Sequence, residues 1–349
     1  MFGLSKVTEG IGGIALTEHP EPQAGPGEIR LKVAAAGICG TDMQIYHWAP
    51  RMARKMQLPR ILGHEVSGVI DHIGPNIESD VDGLTVGDHV SLESHIFCGT
   101  CDPCRRDRAH LCENTGYPGI SIDGAFADYV VVPAQIAWRN PPDLPHEIAA
   151  MLEPFGIAVH ACMEGSGVVE QRILINGCGP IGLMAVAAAR ALGARQVIAS
   201  DPNKLRREQA MKMGADFGFD PGAVDLASAV ADVTNGAGAD VAIEFSGQVA
   251  GFHAAMASIC KGGDFRLVGA PSHPIELDLS QWLLRCPTVI NIHGRRIWQT
   301  WEQSTALVYN KKVNLAPVMS HQLPLSDGAR GFELILRGEA LKPILLPGG

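Results

Sequence analysis

Two kinds of hydrophobic pattern divide the chain. Up to about residue 150, apolar residues come in short alternating or continuous runs broken by Gly and Pro, at 27–34, 65–70, 87–92 and 126–132. That is strand-and-turn patterning without a helical period, and it predicts a small β-rich domain over 1–150. From 151 to 293, short apolar runs at 172–176, 196–200, 216–219, 240–244, 264–268 and 289–293 alternate with helix-patterned stretches. Six strands joined by helices predict an α/β domain with a doubly wound parallel sheet. The segment 294–349 carries helical patterns around 298–309 and 326–337 and a last strand at 342–346. The parallel sheet is complete without this segment, so it is expected to return to the first domain.

One turn stands out within this pattern. The run 172–176 ends at Gly177, and Gly177, Cys178, Gly179, Pro180, Ile181 and Gly182 then open a helix-patterned stretch. Glycines at this spacing between a strand and a helix suit a dinucleotide. Gly177 permits the tight turn, Gly179 lets a pyrophosphate approach the backbone, Gly182 lets helix and strand pack closely, and the helix N-terminus favours the anion. The next strand ends at Asp201. A carboxylate about 20 residues past the glycines suits the two hydroxyls of an adenine ribose and repels a 2′-phosphate, which predicts NAD rather than NADP. Arg206 is a candidate to cover the adenosine or its ribose, with a solvated helix face as the alternative. Gly247, which ends the fourth strand, is placed to lie against the cofactor.

Composition narrows the class. Of 349 residues, 46% are hydrophobic and 19% charged, with 40 glycines and a formal net charge of −9. The acidic balance and the short, scattered basic clusters argue against nucleic acid as a partner. No apolar run reaches the length of a membrane span, and the first ten residues lack the pattern of a signal peptide, so a cytoplasmic protein is expected. In a reducing compartment the nine cysteines read as metal ligands, catalytic groups or buried small residues.

Four of them, Cys98, Cys101, Cys104 and Cys112, share one loop. Four thiolates at that spacing suit a closed, structural zinc site, with an iron–sulfur cluster as the rival reading. A second set is dispersed: Cys39, His64 with Glu65, and Glu153. A thiolate, an imidazole and a carboxylate are what a catalytic zinc takes when one position is left for water or substrate. Taken singly, Cys39 reads as well as a buried small residue, and His64 as well as a core histidine.

The residues together resemble a family. Gly63, His64, Glu65, Val66, Ser67 and Gly68, with Gly74 and Ile77 behind them, are similar to the zinc signature of the medium-chain alcohol dehydrogenases. Cys39, the four-cysteine loop, Gly87 to Val90 and the glycine turn follow in that family's order. The resemblance implies a GroES-like catalytic domain and a Rossmann domain, with the active site in the cleft between them. It also implies a catalytic zinc at Cys39 and His64, with Glu65 or Glu153 as the carboxylate, and hydride transfer from a secondary alcohol to NAD. Thr41 would take the substrate proton and His95 would touch the substrate, although a surface-loop histidine is the alternative for His95. His160, on a helix, reads as a packed structural residue.

Within the family the likeness is to the branch holding the threonine and polyol dehydrogenases, and both substrates stay open. Where that branch places a histidine three residues after Thr41, this chain has Gln44. A homotetramer is expected by the same resemblance, with 289–293 as an edge strand pairing across a twofold. Two other functions fit less well: a non-catalytic NAD-sensing protein would have no use for an open zinc position, and a zinc-free quinone reductase would lack the four-cysteine loop.

Overall fold

The alternating runs of the first 150 residues become β1 (Phe2–Lys6), β2 (Ile14–Glu18), β3 (Glu28–Gly37), β4 (Arg60–Ile61), β5 (Glu65–Ile73), β6 (His89–Leu92), β7 (Tyr129–Pro133) and β8 (Ala137–Arg139) in a computed structural model. The residues described are 1–77, 83–271 and 273–348. They fall into two units, Met1–Glu153 with Met319–Gly349 and Pro154–Val318.

In the first unit β3 is the organising strand. It pairs antiparallel with β5, with β7 and with β16 (Lys342–Leu346), and β16 carries β15 (Met319–Pro324) beside it in parallel. Leu31 and Val33 of β3 join Ile70, Val90, Phe126, Val132 and Phe332 in one apolar core, which is the face that strand alternation is meant to bury. A smaller sheet in the order β2-β1-β4 completes the unit.

One helix of this unit, Gly40–Tyr46, has no counterpart in the sequence expectations, because seven residues are too few for a periodic signal. It is started by its cap. Cys39 accepts the Thr41 N–H at 3.1 Å, and Asp42 accepts the Cys39 N–H at 2.9 Å, a reciprocal pair that satisfies donors a helix start leaves open.

The second unit is a six-stranded parallel sheet of β9 (Arg172–Asn176), β10 (Gln196–Ser200), β11 (Phe217–Phe219), β12 (Ala239–Glu244), β13 (Ile259–Leu267) and β14 (Thr288–Asn291), in the order β11-β10-β9-β12-β13-β14. The order reverses beside β9, so β9, β10 and β12 deliver their C-terminal ends to one crevice, the place where open α/β sheets bind ligands. Gly177, Asp201 and Gly247 each lie just past one of those ends.

The expectation for the tail needs correction. The chain rejoins the first unit at Met319, not at 294. The reason lies in the helix Gln299–Tyr309, whose Trp301, Ser304 and Thr305 are buried, and in Arg295, which packs so closely on Gly156 that a Cβ there would lie 2.6 Å from its Cδ. These residues belong to the second unit's interior. No helix among the described residues is long and apolar enough to cross a membrane.

Candidate active site and metal centres

Cys39 caps the helix Gly40–Tyr46, while His64 and Glu65 sit where the chain enters β5. Neither segment needs the other to fold locally, yet Cys39 Sγ and His64 Nε2 lie 3.1 Å apart. One donor atom from each of Cys39, His64 and Glu65 falls within 4.8 Å of the others. Glu153 is buried and its charge bears on His64 and Glu65, but it is not one of that converging set.

The electrostatics of the cluster call for a cation. Burial pushes the Cys39 thiol up, and burial pushes the Glu65 carboxyl up to about 7 despite the Lys342 ammonium against it. Burial would lower His64, but the charges of Cys39, Asp42 and Glu153 hold it well above its ordinary value. Each donor is thus biased away from the deprotonated form that binds metal. A divalent ion among them would reverse that bias, so the donor set fits zinc in chemistry as well as in position.

Lys342, on β16, is fully buried and paired with Glu65. Sequence reasoning missed it, since a lysine opening a C-terminal strand carries no mark of a partner nearly 280 positions away. Asp42, buried and capping Cys39, was visible only as a neighbour in the motif.

The four-cysteine loop is local throughout. All four sulfurs lie within 4.8 Å of one another, with Cys101 and Cys112 at 3.9 Å, close to the roughly 3.8 Å that tetrahedral Zn–S bonds impose. Backbone N–H groups point at the sulfurs: Cys98 and Asn114 to Cys112 at 3.3 and 3.4 Å, and Cys101 to Cys98 at 3.4 Å. The Thr100 hydroxyl and amide, the Cys101 amide and the Asn114 side chain hold the Cys98 thiol down at about 5, while burial among its neighbours lifts Cys104 to about 12. Donors arranged around thiolates orient ligands for a metal.

His95, placed between β6 and this loop, is buried rather than on the surface. Its Nδ1 lies 2.6 Å from Glu93 Oε1. Thr41 is in the first turn of its helix, and Gln44 and His47 are exposed at the far end.

In the second unit the glycine turn has the form its spacing implied. Gly177 has φ +93°, and a Cβ on it would lie 2.7 Å from Ser246 N. At Gly182 a Cβ would lie 2.0 Å from Gly177 O, so only glycine lets helix Pro180–Ala191 sit this close to the turn. At Gly179, by contrast, a Cβ would meet nothing within 4 Å, which is the open approach a pyrophosphate needs. Pro180 and Ile181 form the first turn of that helix.

Asp201 is buried, and its two oxygens accept the Cys178 and Asn203 N–H groups at 2.8 Å each, with Arg206 Nη1 3.6 Å away. The carboxylate therefore braces the glycine turn. Glu244, at the end of β12, was also missed. It is buried and accepts the Ser246 and Gly247 N–H groups at 2.6 and 3.0 Å and the Asn176 side chain, shaping the turn that holds Gly247. His160 Nδ1 lies 2.9 Å from Gly294 O, a packing role.

Residues 25–143 match the alcohol dehydrogenase GroES-like domain, and residues 180–310 match the zinc-binding dehydrogenase domain. The chain is 41% identical to the L-threonine 3-dehydrogenase of Bacillus subtilis (strain 168), over 97% of this chain and 96% of that one. The chain belongs to the zinc-dependent medium-chain alcohol dehydrogenases. Its fold agrees with that of galactitol-1-phosphate dehydrogenase from Escherichia coli at a TM-score of 0.90 and 27% identity, covering 99% and 100% of the two chains. It also agrees with an Escherichia coli CFT073 short chain alcohol dehydrogenase complexed with NADH, at a TM-score of 0.89 and 26% identity over 99% of each. As a member of this family, the dehydrogenase is an oxidoreductase acting on CH–OH groups of small molecules. Its GroES-like and parallel α/β parts are those the motifs implied.

Proposed function

We propose that this dehydrogenase oxidises the C3 hydroxyl of L-threonine with NAD, using one catalytic zinc at Cys39, His64 and Glu65 and one structural zinc at Cys98, Cys101, Cys104 and Cys112. The observation that carries the substrate is the 41% identity, nearly end to end, with a chain that is an L-threonine 3-dehydrogenase. Zinc at the first site supplies Lewis acidity to a substrate hydroxyl, and NAD over the glycine turn supplies the two-electron acceptor.

The chain's own groups do the rest. Thr41, held through its N–H on Cys39 Sγ, offers its hydroxyl to the proton leaving the substrate. Gln44 has no protonation state near neutrality and is exposed together with His47, so in this reading the proton passes from Thr41 to water rather than through a side-chain relay. Asp201 selects NAD over NADP, with Arg206 beside it, while Glu153 serves as a neighbouring carboxylate and His95 as a substrate contact. Nine cysteines, none of them paired in a disulfide, support a reducing, cytoplasmic setting.

The proposal includes a homotetramer, with no nucleic-acid or membrane partner. It rests on β14 as an edge strand with little burial and on Leu279, Leu283 and Leu284, each at least 70% exposed on the helix before it. A second copy covering that edge is the ordinary remedy for such a surface. Light scattering at micromolar concentration that found a monomer would remove this part.

The substrate is tested on the zinc-loaded enzyme by following reduced cofactor with L-threonine, galactitol 1-phosphate and butanediol, each with NAD and with NADP. Threonine with NAD is expected to exceed every other combination in kcat/KM by about tenfold or more. A polyol that outperforms threonine would make this a polyol dehydrogenase, the reading that Gln44 and the structural neighbour leave standing.

A further inference from the structure

Two buried carboxylates flank β9 at the C-terminal end of the parallel sheet. Asp201 follows β10 and braces the glycine turn through the Cys178 N–H at 2.8 Å. Glu244 ends β12, is 1% exposed, and braces the turn that comes after it. Its Oε1 accepts the Ser246 and Gly247 N–H groups at 2.6 and 3.0 Å and the Ser246 hydroxyl, while its Oε2 accepts the Asn176 side-chain N–H. Asn176 gives a second N–H to Gly251 O at 3.0 Å, which fixes the way its amide points. Each of these partners of Glu244 is a donor, so an ionised carboxylate satisfies them all, whereas an amide in its place turns an NH2 toward one of them.

The turn has little slack. Gly247 has φ +62°, and a Cβ there would lie 2.9 Å from Ala270 O, while a Cβ on Gly251 would lie 2.4 Å from Ser246 Oγ. The Glu244 carbonyl accepts the Val268 and Gly269 N–H groups at 3.0 and 2.8 Å, which ties the same residue to the end of β13. In a doubly wound sheet each half takes one mononucleotide of a dinucleotide. The glycine turn and Asp201 belong to the half made by β9, β10 and β11, and β12, β13 and β14 make the other. With adenosine and pyrophosphate on the first half, the turn after Glu244 falls to the nicotinamide mononucleotide.

We propose that Glu244 is a positioning residue for the nicotinamide half of NAD: its carboxylate sets the 245–248 turn so that Gly247 offers bare backbone to that half, while Asp201 separately sets the glycine turn for adenosine and pyrophosphate. The proposal rests on NAD binding over the glycine turn, as set out above. Glu244 acts through the turn rather than by touching the cofactor. Without its acceptor the turn holds two amides and a hydroxyl unsatisfied and rearranges toward water, so a ligand that needs the turn in place must supply the ordering free energy itself.

The test measures dissociation constants by titration calorimetry on the zinc-loaded parent and on Glu244→Gln, Ser246→Ala and Asp201→Asn. The probes are NADH and ADP, the latter carrying adenosine and pyrophosphate but no nicotinamide ribonucleoside. Glu244→Gln is expected to weaken NADH by about tenfold and ADP by less than about twofold, the scale of one hydrogen bond to a charged group lost on one half alone. Ser246→Ala, which removes one donor and no charge, should weaken NADH by about threefold and again spare ADP, and it carries the test if Glu244→Gln fails to fold. Asp201→Asn should weaken both ligands. Hydrogen exchange read by mass spectrometry should be faster in Glu244→Gln over residues 245–250 and unchanged over 177–183.

Equal losses of NADH and ADP affinity in Glu244→Gln would overturn the proposal, because a general support of the sheet end spares neither ligand. So would NADH affinity unmoved in both Glu244→Gln and Ser246→Ala, or ADP affinity unmoved in Asp201→Asn, which denies the division between the two carboxylates. A parent that binds neither probe would remove the NAD reading itself and this proposal with it.

Discussion

The two metal-compatible clusters of the first unit differ in how their donors are brought together. The four sulfurs come from one stretch of fifteen residues, Cys98 to Cys112, lie near the surface and are steadied by neighbouring backbone N–H groups. Cys39, His64 and Glu65 come from two separate segments, with His64 and Glu65 buried and Cys39 partly so, and Glu65 takes its counter-charge from Lys342 on a strand at the other end of the chain. On the proposed reading, the first cluster is a loop that a metal would staple. The second is a packed core that holds a reactive group. The same element can therefore staple one place and do chemistry at another, depending on whether the surrounding fold already stands without it.

Four substitutions or treatments press on that difference. Cys39→Ser should lower turnover by at least about a thousandfold, several kcal/mol of transition-state stabilisation, while circular-dichroism melting moves by no more than about 2 °C and one zinc per chain remains by elemental analysis. A variant that kept its turnover would end the distinction between the clusters. Lys342→Met leaves Glu65 buried beside no ammonium, which costs about 3–5 kcal/mol when a buried pair is broken on one side. Denaturant unfolding should show this loss in zinc-stripped protein and a smaller one with zinc bound, because the ion replaces the missing counter-charge.

Cys101→Ser should lower the melting temperature by about 5–10 °C and remove one zinc, with kcat changed by less than about twofold, as kinetics on freshly prepared protein will show. Unchanged melting would deny the loop its stapling role. The smallest effect is one of rate and pH. In chelator-treated protein at pH 6.5, Cys98 is above its value of about 5 and so is a thiolate, whereas Cys39 and Cys104 are pushed upward by burial and remain thiols. Iodoacetamide should therefore label Cys98 at least about tenfold faster than Cys39, measured by peptide mass spectrometry. Raising the pH should narrow the gap, because it ionises the slower thiols and leaves Cys98 as it was.

Much of this was legible without coordinates. The strands 172–176 and 196–200 appear at the positions their apolar runs mark, and the glycine turn between them follows from sterics that act within a dozen residues. The cysteine loop is equally local. The helix Gly40–Tyr46 escaped notice because a short helix is decided by its cap, and here the capping group is a cysteine, a residue type with little capping preference. The segment 294–318 was assigned to the wrong unit because pattern alone says that Trp301 will be buried but not against what.

The sequence by itself determined the β-rich and α/β halves, the dinucleotide turn, the likeness to zinc dehydrogenases and which side chains were chemically able to bind metal, since each depends on neighbours within a turn or a loop. Only the tertiary structure decided that Glu65 rather than Glu153 joins Cys39 and His64, that Lys342 is the ammonium against it, and that Glu93 holds His95. A buried charge is stable only with a counterpart close in space, and which counterpart is close is a property of how β16 docks on β3 and how the chain turns after β6, distances that no local pattern records.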